Sequence, residues 1–249
     1  MNIKILSLCE KGLKRDVNQD SIFFQSNGDV AIAVVADGMG GHQGGEKASQ
    51  HSVSSIQAWF ESNQNNLLIW NDEFLIDNMK VFIKSINDYL YKLFEDNGYK
   101  GGTTLTVFLI VREIYHIYHI GDSRIYLIRN KEMKSLTEDD LWENLPSIQK
   151  QYTHLERMQS VHQGKLTQAV GFDQHIQIHH SSGDIHSKDT FLLCSDGVYK
   201  YVKEDYISKA LSSGFRNKVD SKKIKKLDQE IVRNGAGDNY SAIFCVVNR

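Results

Sequence analysis

Four aspartates in this sequence share one local pattern, in which a carboxylate stands directly beside a glycine at one end of an apolar run. They are Asp37, Asp122, Asp196 and Asp238. Carboxylates without paired histidine or cysteine are the ligands that Mg²⁺ and Mn²⁺ prefer. Mutual repulsion among four such groups would be severe without a cation. If the strand ends converge, the pattern predicts a site for hard divalent cations; each aspartate alone is equally consistent with an ordinary turn.

Asp37 has the most distinctive surroundings of the four. It follows the apolar run 30–36 and precedes a glycine-rich segment at 38–45. Glycine reaches backbone conformations closed to other residues and lets the main chain come close to a ligand. Asp37 is therefore the first candidate ligand for a hard cation.

Composition restricts the possible classes of function. The 249 residues carry 29 basic and 31 acidic side chains and a net charge of −2, which gives no field that attracts nucleic acid or a membrane surface. The three cysteines are far apart, so neither a disulfide framework nor a zinc site is indicated. No apolar run approaches the ~18 residues of a membrane span, and none resembles a signal peptide. We therefore expect one cytoplasmic domain over residues 1–249, without a nucleic-acid or membrane partner.

The elements that must position the aspartates follow from periodicity. Strands are predicted at 3–8, 21–25 and 29–36, with a tight turn at 27–28 joining the last two as a hairpin. Amphipathic helices are predicted at about 46–61 and 75–93. Strands at 105–111, 113–120 and 123–128 follow with short gaps, so we expect antiparallel neighbours. Helices at about 204–211 and 221–233 precede a last strand at 240–247.

The segment 137–165 lacks clear periodicity and holds Pro146, the only proline of the chain. We predict a variable flap over the surface at this point, because recognition residues can vary in such a loop without disturbing a packed core.

Seven short motifs, taken in order, resemble those of the metal-dependent protein phosphatases of type 2C (the PPM family) in their compact bacterial form. They extend from residue 15 to residue 239. The motifs are RDVNQD at 15–20, ADGMGGH at 36–42, GGTT at 101–104, GDSR at 121–124, LTQAVG at 166–171, CSDG at 194–197 and GDN at 237–239.

The resemblance implies an α+β fold, a four-layer αββα sandwich of two antiparallel β-sheets packed face to face and flanked by helices. It implies a phosphatase that hydrolyses phosphoserine and phosphothreonine in proteins by attack of a metal-bridging water. Two Mn²⁺ or Mg²⁺ ions, with room for a third weaker one, would be the cofactors. The partner would be a phosphorylated protein, the product of a serine/threonine kinase, and we expect a monomer.

The resemblance also implies roles for single residues. Asp37 would bridge the two ions, and the Gly38 carbonyl, Asp196 and Asp238 would complete their shells. Asp20 would act near one ion, in part through water.

Two further roles follow from the same resemblance. Asp122 and Asp196 would hold the third ion, and Arg15 would grip the substrate phosphate. An arginine suits this task because its planar fork makes bidentate, charge-assisted bonds.

The sequence departs from the family pattern in a few places. Met39 stands where many relatives have a histidine proposed to protonate the leaving group, which leaves the general acid open. Gln19 replaces the glutamate of many members, and 136–141 and 160–164 only echo the usual motifs of the flap region. These departures concern substrate recognition more than the metal aspartates.

Two other functions are compatible with parts of the pattern. One is a phosphatase of small phosphoesters or nucleotides, and the other is a non-catalytic relative that binds phosphoproteins. The second is disfavoured because all five candidate metal aspartates are present.

Overall fold

The structure is a computed structural model that describes residues 2–40, 44–212 and 219–248. Gly41, His42 and Gln43, which belong to the predicted glycine-rich segment, lie outside the described residues.

Two antiparallel β-sheets form the centre of the molecule. The first has the order β1-β11-β10-β7-β8 and the second has the order β2-β3-β5-β6-β9, with the short β4 paired to β3. The strands of the first sheet are β1 (Asn2–Glu10), β7 (Arg124–Arg129), β8 (Glu132–Ser135), β10 (Thr190–Cys194) and β11 (Tyr240–Asn248). Those of the second are β2 (Asp20–Asn27), β3 (Val30–Gly40), β4 (Gly101–Thr103), β5 (Leu105–Val111), β6 (Ile114–Ile120) and β9 (His179–Asp184).

Helices cover the outer face of each sheet. The long helices α1 (Gly44–Asn63) and α2 (Asp72–Asn97) share one apolar cluster with the second sheet, and α6 (Glu204–Ser212) and α7 (Ser221–Arg233) share another with the first. Shorter helices are α3 (Pro146–Gln151), α4 (His154–Met158) and α5 (Asp196–Tyr199). None of the helices in the described part of the chain is long and apolar enough to cross a bilayer.

A third apolar cluster lies between the two sheets. Phe108 of β5 and Phe191 of β10 meet there with ring centroids 4.5 Å apart. Side chains alternate between the faces of a strand, so Val34 packs toward the helices while Val35 packs toward the other sheet. The predicted four-layer αββα sandwich is confirmed.

Local sequence accounts for the helix α2. Leu75, Met79 and Ile83 recur on its buried face. At its start the Asn71 side chain accepts a hydrogen bond from the Phe74 N–H, and it ends at Gly98, whose φ of 66° suits glycine. The hairpin predicted at 27–28 is also present, since Asn27 pairs with Val30.

Two strand predictions are wrong. The strands 113–120 and 123–128 are not neighbours, because β6 pairs with β5 and β9 whereas β7 pairs with β10 and β8. The chain crosses from one sheet to the other at Gly121, which has a φ of 105°. The strand predicted to end at 36 continues to Gly40, because Gly38 to Gly40 pair with β4.

The segment 137–165 forms a 3₁₀ turn and two short helices. Its two ends are joined, since the Trp142 N–H donates to the Lys165 carbonyl at 2.9 Å. The Trp142 ring packs against the rings of Tyr152 and His162. These aromatic contacts hold the segment together, and the Tyr152 side chain is 37% exposed.

Candidate active site

The predicted site residues surround one cavity of about 500 Å³. Its wall includes Arg15, Asp37, Gly38, Asp122, Asp196 and Asp238. Asp20, the seventh predicted residue, lies opposite Asp37 in the β2–β3 ladder and is buried. The structure therefore brings together carboxylates that are spread over more than 200 positions of the sequence.

Hydrogen bonds fix the main chain of Asp37 on both sides. Its N–H donates to the Thr104 hydroxyl at 2.9 Å, and its carbonyl accepts from the Thr104 N–H at 2.9 Å and from the Thr103 hydroxyl at 3.0 Å. The Thr104 hydroxyl also bonds Ser123 Oγ at 2.8 Å, which joins Asp37 to the turn that carries Asp122. The main chain is thereby held while the carboxylate faces the cavity.

Gly38 stands where no side chain fits. A Cβ at this position would lie 2.3 Å from the Gly45 carbonyl oxygen and 2.7 Å from that of Gln19. The Gly38 N–H donates to the same Gln19 oxygen at 3.1 Å. Glycine is required here because three stretches of main chain meet beside Asp37.

Asp20 is a buried carboxylate with only part of its hydrogen-bonding capacity used. Oδ2 accepts from the Ser195 hydroxyl at 2.7 Å, whereas Oδ1 is buried and has no partner among the described residues. Burial raises the pKa of Asp20 to about 7, against the hydrogen bond of Ser195 and with help from the negative charges of Asp196 and Asp238. An orphaned buried carboxylate oxygen is costly, so this atom is suited to a cation or to water bound to one.

Asp122 is held in the crossing between the sheets. The Tyr199 hydroxyl donates to its carbonyl at 3.0 Å and reaches its Oδ2 at 3.3 Å. The Tyr199 ring in turn lies 3.7 Å from the Arg124 guanidinium carbon. Burial raises the pKa of Asp122 to about 6, and the charge of Asp196 adds to this effect.

Two protein cations contact the remaining carboxylates. Arg15 binds Asp238 through one edge of its guanidinium, with Nε donating to Oδ1 at 2.7 Å and Nη2 donating to Oδ2 at 2.8 Å. Lys200 Nζ bonds Asp196 Oδ2. Arg15, which was predicted to bind the substrate phosphate, thus forms an ion pair with Asp238, a predicted metal ligand, at the edge of the cavity.

Sequence reasoning missed two residues that matter at this site. Asn239 holds the loop that carries Arg15: its Nδ2 donates to the carbonyls of Lys11 and Val17, and its Oδ1 accepts from the Gln19 N–H. Its place directly after Asp238 was the available signal. Lys200 is the other, and its spacing of four residues from Asp196 on a helix could have revealed the pair.

The site carries more negative than positive charge. Five aspartates face three cations, which are Arg15, Lys165 and Lys200. Burial together with the charges of Asp20, Asp196, Asp122 and Asp238 raises the pKa of Asp37 well above its usual value. Within the described ranges, no three His, Cys, Asp or Glu side chains already form a group that could hold a metal ion. The donor chemistry nevertheless fits hard cations, because partly unsatisfied, crowded carboxylates are stabilised by them.

A family model described as "Protein phosphatase 2C" matches residues 13–232 of the chain. Among curated proteins, the protein phosphatase PhpP of Streptococcus pneumoniae is 32% identical over 218 residues, which cover 85% of either chain.

Solved structures of bacterial serine/threonine phosphatases superpose on the whole fold. The S. agalactiae enzyme matches with a TM-score of 0.87 and 27% identity, over 99% of this chain and 100% of its own. The catalytic domain of PstP, in complex with 2 manganese ions, matches with a TM-score of 0.78 and 25% identity, over 99% of either chain.

A pH dependence follows from the buried carboxylates. In a chelator, the free energy of unfolding should contain a contribution that falls as pH rises from about 4 to about 7. The reason is that Asp20, with an ordinary pKa of 3.8, stays protonated in the folded chain up to a pKa of about 7. The unfolded state then binds fewer protons, so stability decreases with pH.

Urea unfolding at several pH values would measure this slope. The variant Asp20→Asn should show a flatter slope, because its side chain does not titrate, and saturating Mn²⁺ should flatten the slope of the unmodified protein. Equal slopes for the variant and the unmodified protein in chelator would contradict the assignment.

Proposed function

This chain belongs to the protein phosphatase 2C family, and from that premise we propose a function for its cavity. The cavity is the active site of a phosphatase that acts on phosphoserine and phosphothreonine in proteins. One observation carries the assignment to this site. Asp37 lies at the cavity wall with Asp122, Asp196 and Asp238 around it and Asp20 beneath it. The family is metal-dependent, which suits a cavity lined by carboxylates.

We assign the metal ligands as the resemblance implies. Asp37, Asp196, Asp238 and the Gly38 carbonyl would hold two Mn²⁺ or Mg²⁺ ions, with Asp20 supporting one of them. The orphaned oxygen of Asp20 and the raised pKa of Asp37 support this assignment. When bound, such ions would lower the pKa of the attacking water and neutralise charge on the phosphoryl oxygens.

The chain's own residues then bind and orient the substrate. Arg15 is half-exposed at the rim and uses Nε and Nη2 on Asp238. A guanidinium has five N–H donors, so others remain for a phosphate oxygen. We propose that Asp238 holds the fork in place and that Arg15 presents its free edge to the phosphate. Met39 also lines the cavity and can donate no proton, in keeping with the departure noted in the sequence.

We propose further that residues 1–249 form one domain and that the segment 137–165 selects the protein partner. Its rings are engaged in internal contacts, but Leu155 and Val161 are 64% and 85% exposed. A smaller phosphoester or a nucleotide remains the alternative substrate. Three predictions stay predictions: that a serine/threonine kinase produces the substrate, that the protein is a monomer and that it is cytoplasmic.

The first test concerns Asp37. The variant Asp37→Asn should lower kcat on a phosphopeptide with Mn²⁺ by at least about a hundredfold, or about 2.7 kcal/mol in the barrier, because the central ligand loses its charge. The exposed Asp88→Asn is the matched control and should keep full activity. Retention of more than about a tenth of kcat by Asp37→Asn would refute the assignment, and faster hydrolysis of a nucleotide than of the phosphopeptide would favour the alternative substrate.

The second test separates substrate binding from metal binding at Arg15. Arg15→Ala should raise KM for a small aryl phosphate about tenfold while calorimetry shows Mn²⁺ affinity nearly unchanged. Arg15→Lys should recover only part of the loss, because an ammonium lacks the bidentate fork. A parallel loss of Mn²⁺ affinity would instead make Arg15 a positioning partner of Asp238.

The third test concerns the flap. The double variant Leu155→Ser, Val161→Ser should hydrolyse a small aryl phosphate at nearly the unmodified rate and a phosphoprotein several-fold more slowly, because only the protein is large enough to contact these side chains. Val81→Ser on α2 is the control, since Val81 is also exposed, at 69%. Equal losses on both substrates would show that the segment supports the fold or the metal site.

A further inference from the structure

Lys200 is a charged residue of the cavity wall to which the resemblance gives no role. Its ammonium bonds Asp196 Oδ2, and its side chain is about half exposed. Asp196 and Asp122 are the two carboxylates that were predicted to hold a third, weaker ion. A protein cation is therefore already present beside that pair.

Lys200 and both carboxylates line the same cavity. The ammonium bonds Asp196 Oδ2 directly, and Asp122 lies on the same wall. Burial lowers the pKa of Lys200, and the charges of Asp196 and Asp122 raise it above its usual value. The cation is thus placed beside both members of the pair.

The backbone fixes this arrangement. Lys200 follows α5 directly, and its N–H donates to the Asp196 carbonyl at 2.9 Å, which places its side chain one turn after that of Asp196. The preceding residue, Tyr199, donates its hydroxyl to Asp122. Two consecutive residues, the last of α5 and the one directly after it, therefore hold the two members of the carboxylate pair.

We infer that Lys200 is a built-in cation that takes the place of the third ion at Asp122 and Asp196, so that this chain binds two divalent ions and not three. An ammonium is a compact point charge with three donors, and it suits a pair of carboxylates without demanding a full ligand shell. A divalent ion brought to the same pair of carboxylates would be repelled by the Lys200 ammonium. The inference rests on the proposed function, because the other two ions are part of that proposal.

The experiment is a calorimetric titration of the full chain with Mn²⁺ alone, extended to millimolar concentrations so that weak sites fill. The unmodified protein should bind about two ions per chain. Lys200→Met keeps the apolar stem and removes the charge, so it should gain about one further, weaker ion. Lys200→Gln should show the same gain, which provides a second variant if one of them folds poorly.

Two variants serve as controls. Lys200→Arg keeps the charge and should stay at two ions. Lys203→Met removes a nearby exposed lysine that lies outside the cavity wall and should also stay at two.

The possible outcomes distinguish the role of Lys200 from the phosphatase assignment. Three ions in the unmodified protein, or two in both Lys200→Met and Lys200→Gln, would overturn the role of Lys200 and leave the phosphatase assignment intact. No bound Mn²⁺ in the unmodified protein would overturn both. A gain of one ion in the two neutral variants, and in neither control, is the result that the inference requires.

Discussion

The structure depends on placing five carboxylates at one end of a β-sandwich in spite of their mutual repulsion. Each sheet supplies part of the group: β2 and β3 carry Asp20 and Asp37, whereas Asp196 follows β10 and Asp238 precedes β11. The apolar layer between the sheets holds these strand ends in place, since it is built from fully buried side chains such as Phe108 and Phe191. Packing energy, largely remote from the site, thus keeps together charges that would separate in a flexible chain. The same crowding creates the demand for cations.

Much of this could be predicted from the sequence, because the decisive signals are local. Asp-Gly and Gly-Asp at strand ends identified the carboxylates before any contact was known, and the spacing of Leu75, Met79 and Ile83 identified the buried face of α2. The hairpin at 27–28 rests on turn chemistry confined to two residues. That the carboxylates share one cavity followed only from their joint pattern and from the resemblance. The strand-end aspartates, the buried helix face and the hairpin turn are each encoded within a few residues of the position concerned.

What could not be predicted depends on partners that are distant in sequence. A short gap between two strands favours a hairpin, yet Gly121 to Ser123 carry the chain from one sheet to the other, because the Thr104 hydroxyl meets Ser123 and β7 finds its partners in β8 and β10. Pairing with β4 likewise extends β3 beyond Asp37. The contact of Arg15 with Asp238 joins residues 223 positions apart. None of these choices has a local signature, since each is decided by what the rest of the fold brings nearby.

The junction between the segment 137–165 and the candidate site distinguishes the part of that segment that contacts the Asp122 turn from the part that does not. Near the start of the segment, the Asp140 N–H donates to the Gly121 carbonyl, and the Asp140 carboxylate accepts from the Gly121 N–H, both at 2.8 Å. The other carboxylate oxygen bonds His179 at 2.8 Å, beside a second cavity of about 680 Å³. Asp140 therefore braces the turn that positions Asp122, and a change there would reach the site. Within the described residues, helices α3 and α4 make no hydrogen bond to this turn, so substitutions on their surface would leave the turn in place.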